Sequence, residues 1–176
     1  DLNDLPLLGS LFCPQSDGAA AFLDALLLPL LRKIADAPLG QSPLRCSTSD
    51  LATAIVVARC ATSALVLHYT SGIGHAALPN PDTASFIPAE TWERVLAGSG
   101  EALQVCLSGN DPDRADLQFT PVSLEEGDVR YRDGRKEALV LRAVPTSLVQ
   151  LRLQRRTDNL QPVRQYRLAD GALVHQ

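Results

Sequence analysis

The side chains that could do chemistry cluster in one part of the sequence. His68 lies on a predicted strand and His75 in the predicted loop after it, where Asp82 could orient an imidazole. Cys60 or Ser71 could then act as a nucleophile, because a thiol or hydroxyl becomes reactive when a neighbouring base takes its proton. A strand histidine is more commonly a satisfied core residue, and one beside a glycine is commonly a loop residue. His68, His75 and Asp82 are therefore weak catalytic candidates.

No motif ties these residues to one reaction. The chain has no GxSxG, no HExxH and no glycine-rich phosphate loop. Its four cysteines, Cys13, Cys46, Cys60 and Cys106, include no CxxC pair of the kind from which zinc sites are usually built. The acidic run 110–116 lacks the glycine and the terminal glutamate of an EF-hand loop. The sequence thus predicts no metal site and no cofactor.

Basic residues are concentrated in the last third of the chain. From Asp128 onward nine arginines and one lysine stand against five acids, a net +5, whereas residues 1–127 carry six basic and fifteen acidic groups, a net −9. Such a patch is typical of a surface that meets a polyanion, although arginines also cover sheet surfaces and pair with a protein's own acids. Few aromatic side chains lie between the arginines, so nucleic acid is a disfavoured partner.

Another protein is the predicted partner of this arginine-rich face. Trp92 is included because tryptophans often anchor interfaces, although packing of its ring into the protein's own core is the more common outcome. The predicted partner-binding residues are Arg130, Arg132, Arg142, Arg152, Arg156 and Trp92, with Arg164 or Arg167 as possible additions.

The clearest structural pattern lies at 148–156. Val149, Leu151 and Leu153 alternate with polar residues that include Arg152. This period of two predicts a strand with one dry face and one wet face.

Shorter strands are predicted around it, at 129–132, 139–144 and 163–168, with turns at Asp133-Gly134 and Asp170-Gly171. Together they predict an antiparallel meander. A three-residue loop with a left-handed Gly134 would keep Tyr131 and Leu139 on the same inner face.

The N-terminal third predicts a helix that starts at Ser16 or Asp17. Its apolar stripe is formed by Leu23, Leu26, Leu27, Leu30, Leu31 and Ile34. Pro29 predicts a kink near Ala25 or a division into two short helices, because proline removes a backbone donor. Pro38 and Gly40 should end the element.

The middle of the chain is more ambiguous. Residues 50–59 fit a short helix better than a buried strand, and 63–71 predicts an internal strand with two fairly apolar faces. Residues 72–88 predict a long loop, and Pro88 predicts the start of a short helix at 89–96. Further strands are expected at 102–107 and 117–120.

These elements predict one α+β domain over residues 1–176, helix-rich in 1–60 and strand-rich in 63–176. A curved antiparallel sheet of about five to seven strands would be covered by the N-terminal helix, with one or two further short helices. The closing stretch from Tyr166 to Val174, a strand entering an Asp-Gly turn, resembles the ends of NTF2-like cone domains. That resemblance implies a pocket between the helix and the concave side of the sheet.

Function is predicted as a non-enzymatic protein-binding or assembly domain outside the cytoplasm, such as an envelope or secretion-complex component or an inhibitor of a secreted partner. The alternative is a small-molecule-binding or hydrolytic enzyme with a pocket near His68 and 72–88. Two disulfides would fit a periplasmic or secreted location, although buried free thiols are also possible. The start at Asp1 and the lack of methionine lead us to expect a removed leader or an excised domain. No run of 18 apolar residues predicts a membrane span.

Overall fold

A computed structural model describes residues 6–37, 44–108, 114–157 and 161–175. Strands dominate this part of the chain and all of their pairings are antiparallel, which confirms the predicted sheet-rich architecture with few helices. The helices are α1 (Pro6–Leu11), α2 (Gly18–Asp36) and α3 (Gly72–Ala76). The strands are β1 (Arg45–Thr48), β2 (Ala52–Cys60), β3 (Ser63–Ser71), β4 (Thr83–Phe86), β5 (Ala89–Gly98), β6 (Gly100–Ser108), β7 (Asp116–Leu124), β8 (Val129–Asp133), β9 (Glu137–Ala143), β10 (Ser147–Arg156), β11 (Arg164–Arg167) and β12 (Leu173–His175).

The strands form three sheets whose order differs from the order along the chain. The largest sheet has six strands in the order β1-β2-β3-β10-β5-β8, and two three-stranded sheets have the orders β12-β11-β4 and β7-β6-β9. The predicted meander is wrong, because β8, β9 and β10 are not neighbours of one another. Strand β10 instead inserts between β3 and β5, which lie far from it in sequence.

The turn at Gly134 shows why the predicted hairpin fails. Strand β8 ends the six-stranded sheet, and the chain then crosses to β9 in another sheet, so no hairpin register exists between them. Gly134 is not among the glycines with positive φ. Its N–H donates to the carbonyl of Ala89 at 2.8 Å, and an added Cβ would lie 2.5 Å from the carbonyl oxygen of Ile87. Close backbone approach, rather than a left-handed turn, therefore requires glycine here.

The N-terminal helices share a buried cluster with the six-stranded sheet. Leu11, Ala19 and Leu23 pack together with Leu151 and Leu153, and each such leucine contributes about 2 kcal/mol by leaving water. The burial of Leu151 and Leu153 confirms the predicted dry face of β10.

A buried arginine connects the segment after α1 to the same sheet, since Arg94 donates to the carbonyl of Cys13 at 2.8 Å. Helix α2 runs unbroken through Pro29, not as two short helices, and ends at Asp36. Pro38 and Gly40 lie outside the described residues. Within the described chain, no helix has the length and apolar character to cross a membrane.

Three predictions for the middle of the chain are wrong. Residues 52–60 form strand β2, which pairs with β3 along its length, and not a short helix. Residues 89–96 belong to strand β5, because side chains on both of its faces are buried between neighbours in a way that no single helical stripe allows. The predicted long loop contains α3 and β4. The strands expected at 63–71, 102–107 and 117–120 are confirmed as β3, β6 and β7.

The C-terminal strands do not continue the main sheet as the predicted meander requires. Strand β11 pairs with β12 and with β4 in a separate small sheet, where Tyr166 is buried against Phe86 with ring centroids 5.8 Å apart. The predicted NTF2-like cone is therefore wrong. The Asp170-Gly171 turn is present, with Gly171 at a φ of 68°.

The four cysteines are free thiols, so the two disulfides considered from the sequence are not formed. Cys46 lies on β1, Cys60 at the end of β2 and Cys106 on β6, in separate parts of the fold. The extracytoplasmic location inferred partly from them stays a prediction.

Candidate functional site

A half-open cavity of about 510 Å³ lies between the six-stranded sheet and the strand β9 that faces it. Its polar lining includes His68 from β3, Thr91 from β5, and Gln150, Arg152 and Gln154 from β10. Leu139 and Leu141 of β9 supply an apolar wall, and the segment from His75 to Ile87 lines the remaining side. A concave, partly apolar space with a few converging polar groups is the usual form of a small-molecule site.

Strand β10 places its polar side chains in this cavity. Residues at even positions point between the sheets while the odd-numbered Leu151 and Leu153 point towards the helices, as the alternation of a strand requires. Gln150 is only 6% exposed. The part of the predicted wet face that carries Gln150, Arg152 and Gln154 therefore lines the cavity.

Glu93 is a buried carboxylate that pairs with two arginines of the cavity lining. Its Oε1 lies 2.6 Å from Nε of Arg152 and accepts a hydrogen bond from Nη2 of Arg132 at 3.2 Å. The Nε–H of Arg152 is not aligned as a hydrogen bond, so this contact is an ion pair. Burial favours the neutral carboxyl, but the positive charges of Arg152 and Arg132 outweigh it and hold the pKa of Glu93 below its usual value. We call these three residues the Glu93 cluster.

His68 is a neutral imidazole beside this cluster. Burial, and next the positive charge of Arg152, lower its pKa from 6.5 to about 4, although Glu93 acts in the opposite direction. His68 pairs with Gln150 across the sheet, and Arg152 lies two residues further along β10 on the same face. A group with so low a pKa is a weak proton acceptor at neutral pH, because an efficient general base has a pKa near the working pH. Hydrogen bonding to a ligand suits it better.

The low pKa of His68 predicts that acid destabilises the protein. The unfolded chain binds a proton below pH 6.5 while the folded one resists it until about pH 4, so the free energy of unfolding should fall as the pH falls through this window. Allowing for the partial exposure of the ring, the loss between pH 7 and pH 5 is about 1–2 kcal/mol. His68→Gln should remove this part of the pH dependence in urea titrations, whereas His175→Gln should keep it. An unchanged slope in His68→Gln would contradict the assignment.

Not all of the other catalytic candidates line the cavity that contains His68. His75 lines the same cavity, but Asp82, Cys60 and Ser71 do not. The hydroxyl of Ser71 accepts the N–H of Gly74 at 3.2 Å and so caps α3. Cys60 is exposed and pairs with Ser63, five residues from His68 along β3, which is about 16 Å at strand spacing.

The predicted partner-binding residues do not share one face. Arg132 and Arg152 line the cavity, whereas Arg142 donates to the carbonyl of Pro81 at 2.9 Å. Arg130 donates to the carbonyl of Ser123 at 2.9 Å. Arg156 is exposed at the end of β10.

The remaining predicted anchor, Trp92, lies on the outer face of the sheet. Its ring centroid is 5.2 Å from that of Tyr131 and 5.4 Å from the guanidinium carbon of Arg155. Tyr131 is 54% exposed, so its predicted inner position is wrong, whereas that of Tyr166 is confirmed at 2%.

Sequence reasoning missed Glu93, the buried carboxylate that pairs with the cavity-lining Arg132 and Arg152. The sequence predicts a short helix here because Trp92, Val95 and Leu96 have helical spacing. If 89–98 is instead treated as a strand with alternating faces, Thr91, Glu93 and Val95 lie on the same face. All three residues are buried in the structure. In the part of the chain that the structure describes, no group of three or more histidine, cysteine or acidic side chains is arranged to hold a metal ion.

No protein-family model matches the chain, and no curated protein matches it. Solved structures with a similar arrangement include the 7S globulin of Momordica charantia (14% identity, TM-score 0.45, 70% of this chain and 35% of that one). A cupin superfamily protein from Desulfitobacterium hafniense DCB-2 has 12% identity and a TM-score of 0.39, over 63% of this chain and 83% of that one. A structure of DMSP lyases has 13% identity and a TM-score of 0.43, over 78% and 68%. The chain thus spans about a third of the globulin.

The prediction of a non-enzymatic protein-binding or assembly domain is wrong. The similar solved structures include a cupin superfamily protein and DMSP lyases. The arginine-rich face on which that prediction depended is divided, since Arg132 and Arg152 point inward onto Glu93.

Proposed function

We propose that this chain binds a small molecule in the half-open cavity, as a cupin-like β-barrel whose curved six-stranded sheet is covered on its outer side by α2. The observation that carries the proposal is the inward orientation of His68, Gln150, Arg152 and Gln154 in a cavity of about 510 Å³. Inward polar groups are costly to bury without partners, and a ligand would supply those partners.

Binding has better support than hydrolysis. Hydrolysis by a histidine-activated nucleophile needs a hydroxyl or thiol within hydrogen-bond reach of the base. Among the cavity-lining residues that the structure describes, Thr70, Thr83, Ser85 and Thr91 carry hydroxyls, but none has a hydrogen bond to His68 or His75, and the lowered pKa of His68 makes it a poor proton acceptor. A ligand-binding role uses the same side chains as hydrogen-bond partners and requires no activated nucleophile.

The proposal predicts that a cavity-filling substitution abolishes ligand binding. Ser85 is exposed to solvent and also lines the cavity, so Ser85→Trp should occupy the space without disturbing a buried cluster. Thr120→Trp on the exposed outer strand β7 is the matched control. In a thermal-shift screen of small metabolites, compounds that raise the Tm of the wild type should have no effect on Ser85→Trp and an unchanged effect on Thr120→Trp. Stabilisation that persists in Ser85→Trp would exclude the cavity as the site.

A further inference from the structure

The guanidinium group of Arg152 has hydrogen-bond donors that are not paired with other residues of the described chain. Its Nε faces Glu93, but its terminal nitrogens make no hydrogen bond to any residue that the structure describes. The side chain lines the cavity and is 30% exposed. Guanidinium groups present a planar fork of donors that matches the paired oxygens of a carboxylate or phosphate. We infer that the ligand of the cavity carries such an anionic group and binds it to Arg152, an inference that rests on the proposed function.

The ion pairs around Arg152 leave room for an anion at this point. Arg152 and Arg132 share one oxygen of Glu93. The second carboxylate nearby, Glu137 of β9, lines the cavity and acts electrostatically on Arg132, whose pKa it raises against the effect of burial. Because the cavity is partly shielded from water, a charge interacts more strongly there than on an open surface. A ligand oxyanion beside Arg152 would give its terminal nitrogens a partner without displacing Glu93.

The rest of the cavity defines the other half of the ligand. Leu139 and Leu141 form an apolar wall opposite the strand that carries Arg152, and Ile87 adds to it. Gln150 and Gln154 flank Arg152 on β10 and can donate or accept hydrogen bonds. The inferred ligand class is therefore a small molecule with one carboxylate or phosphate and a body that is at least partly apolar.

Two anionic probes and one neutral probe test this inference. Benzoate presents a carboxylate on an apolar ring, inorganic phosphate presents the anion alone, and benzamide is the uncharged counterpart of benzoate. Binding is measured by titration calorimetry and by Tm for the wild type and for Arg152→Gln, Arg152→Lys and Arg156→Gln. At least one anion should bind the wild type and Arg156→Gln equally, and Arg152→Gln about tenfold more weakly or worse. Benzamide should show no dependence on Arg152.

The lysine variant is the control for a loss of binding that results from misfolding. Arg152→Lys keeps the charge that pairs with Glu93 but loses the planar fork, so it should fold normally and bind the anion with intermediate affinity. An equal response of the wild type and Arg152→Gln to both anions, including no response at all, would overturn the inference. A library compound that Ser85→Trp excludes but that Arg152→Gln still binds would also overturn it, while leaving the proposed function in place. A response to benzoate but not to phosphate identifies the carboxylate as the recognised group.

Discussion

Glu93→Gln is expected to lower the free energy of unfolding by about 3 kcal/mol, because it leaves two partly buried arginines facing each other without their shared counter-ion. Glu93 is 4% exposed and contacts Arg132 and Arg152 through one carboxylate oxygen. Urea unfolding followed by circular dichroism measures the change. The variant keeps nearly the same shape, so the loss would report charge and not packing.

The matched control is Glu90→Gln in a nearby ion pair. Glu90 accepts from Nε of Arg155 at 2.8 Å, and these side chains are 21% and 44% exposed. Pairs of this kind contribute at most about 1 kcal/mol. Equal losses in Glu90→Gln and Glu93→Gln would mean that the Glu93 cluster is no more than a surface ion pair.

The pH dependence gives a second check on Glu93. Because the pKa of Glu93 in the folded protein is held below 4.5, its stabilising contribution is complete above that pH and is lost as the pH falls through the lowered folded value. The difference between the wild type and Glu93→Gln should therefore close in acid. A difference that widens below pH 4.5 would contradict the direction of the shift.

Strand β10 shows which features can be predicted from the alternation of apolar and polar residues alone. The pattern in 148–156 correctly predicts extended backbone and the burial of Leu151 and Leu153. It does not distinguish solvent from an internal cavity, because a polar side chain has the same two-residue period in either environment. Arg152 was therefore assigned to the protein surface when it lines the site.

Strand pairing was less predictable, since it depends on contacts that are distant in sequence. The strands predicted at 129–132, 139–144 and 148–156 are present as β8, β9 and β10, but each pairs with strands from the first two-thirds of the chain. The register of a local turn gives no information on such pairings. The burial of Glu93 is hard to predict for a different reason, because both faces of β5 are covered and its apolar residues fit a helical stripe.

Gly98→Ala is expected to be the most damaging glycine substitution near the site, with a loss of about 3 kcal/mol or more. Gly98 has a φ of 79°, which is unfavourable for residues with a Cβ. An added Cβ would also overlap the carbonyl oxygen of Ser147, at the start of β10. Relief of that overlap requires backbone movement, since the obstacle is not a flexible side chain.

Gly127→Ala separates the effect of the positive φ from the effect of the overlap with the Ser147 carbonyl. Gly127 also has a positive φ, 91°, but an added Cβ there would have no atom within 4 Å, so only the backbone penalty of about 1 kcal/mol applies. Gly98 pairs with Leu148, just before the register shift at Val149/Gln150 that precedes Arg152. Movement of this end of β10 should therefore also weaken the binding of any ligand that Arg152 holds. Gly127→Ala should leave that binding unchanged. Similar unfolding curves for the two variants would show that the Ser147 carbonyl can move at little energetic cost. The start of β10 would then not be fixed by Gly98.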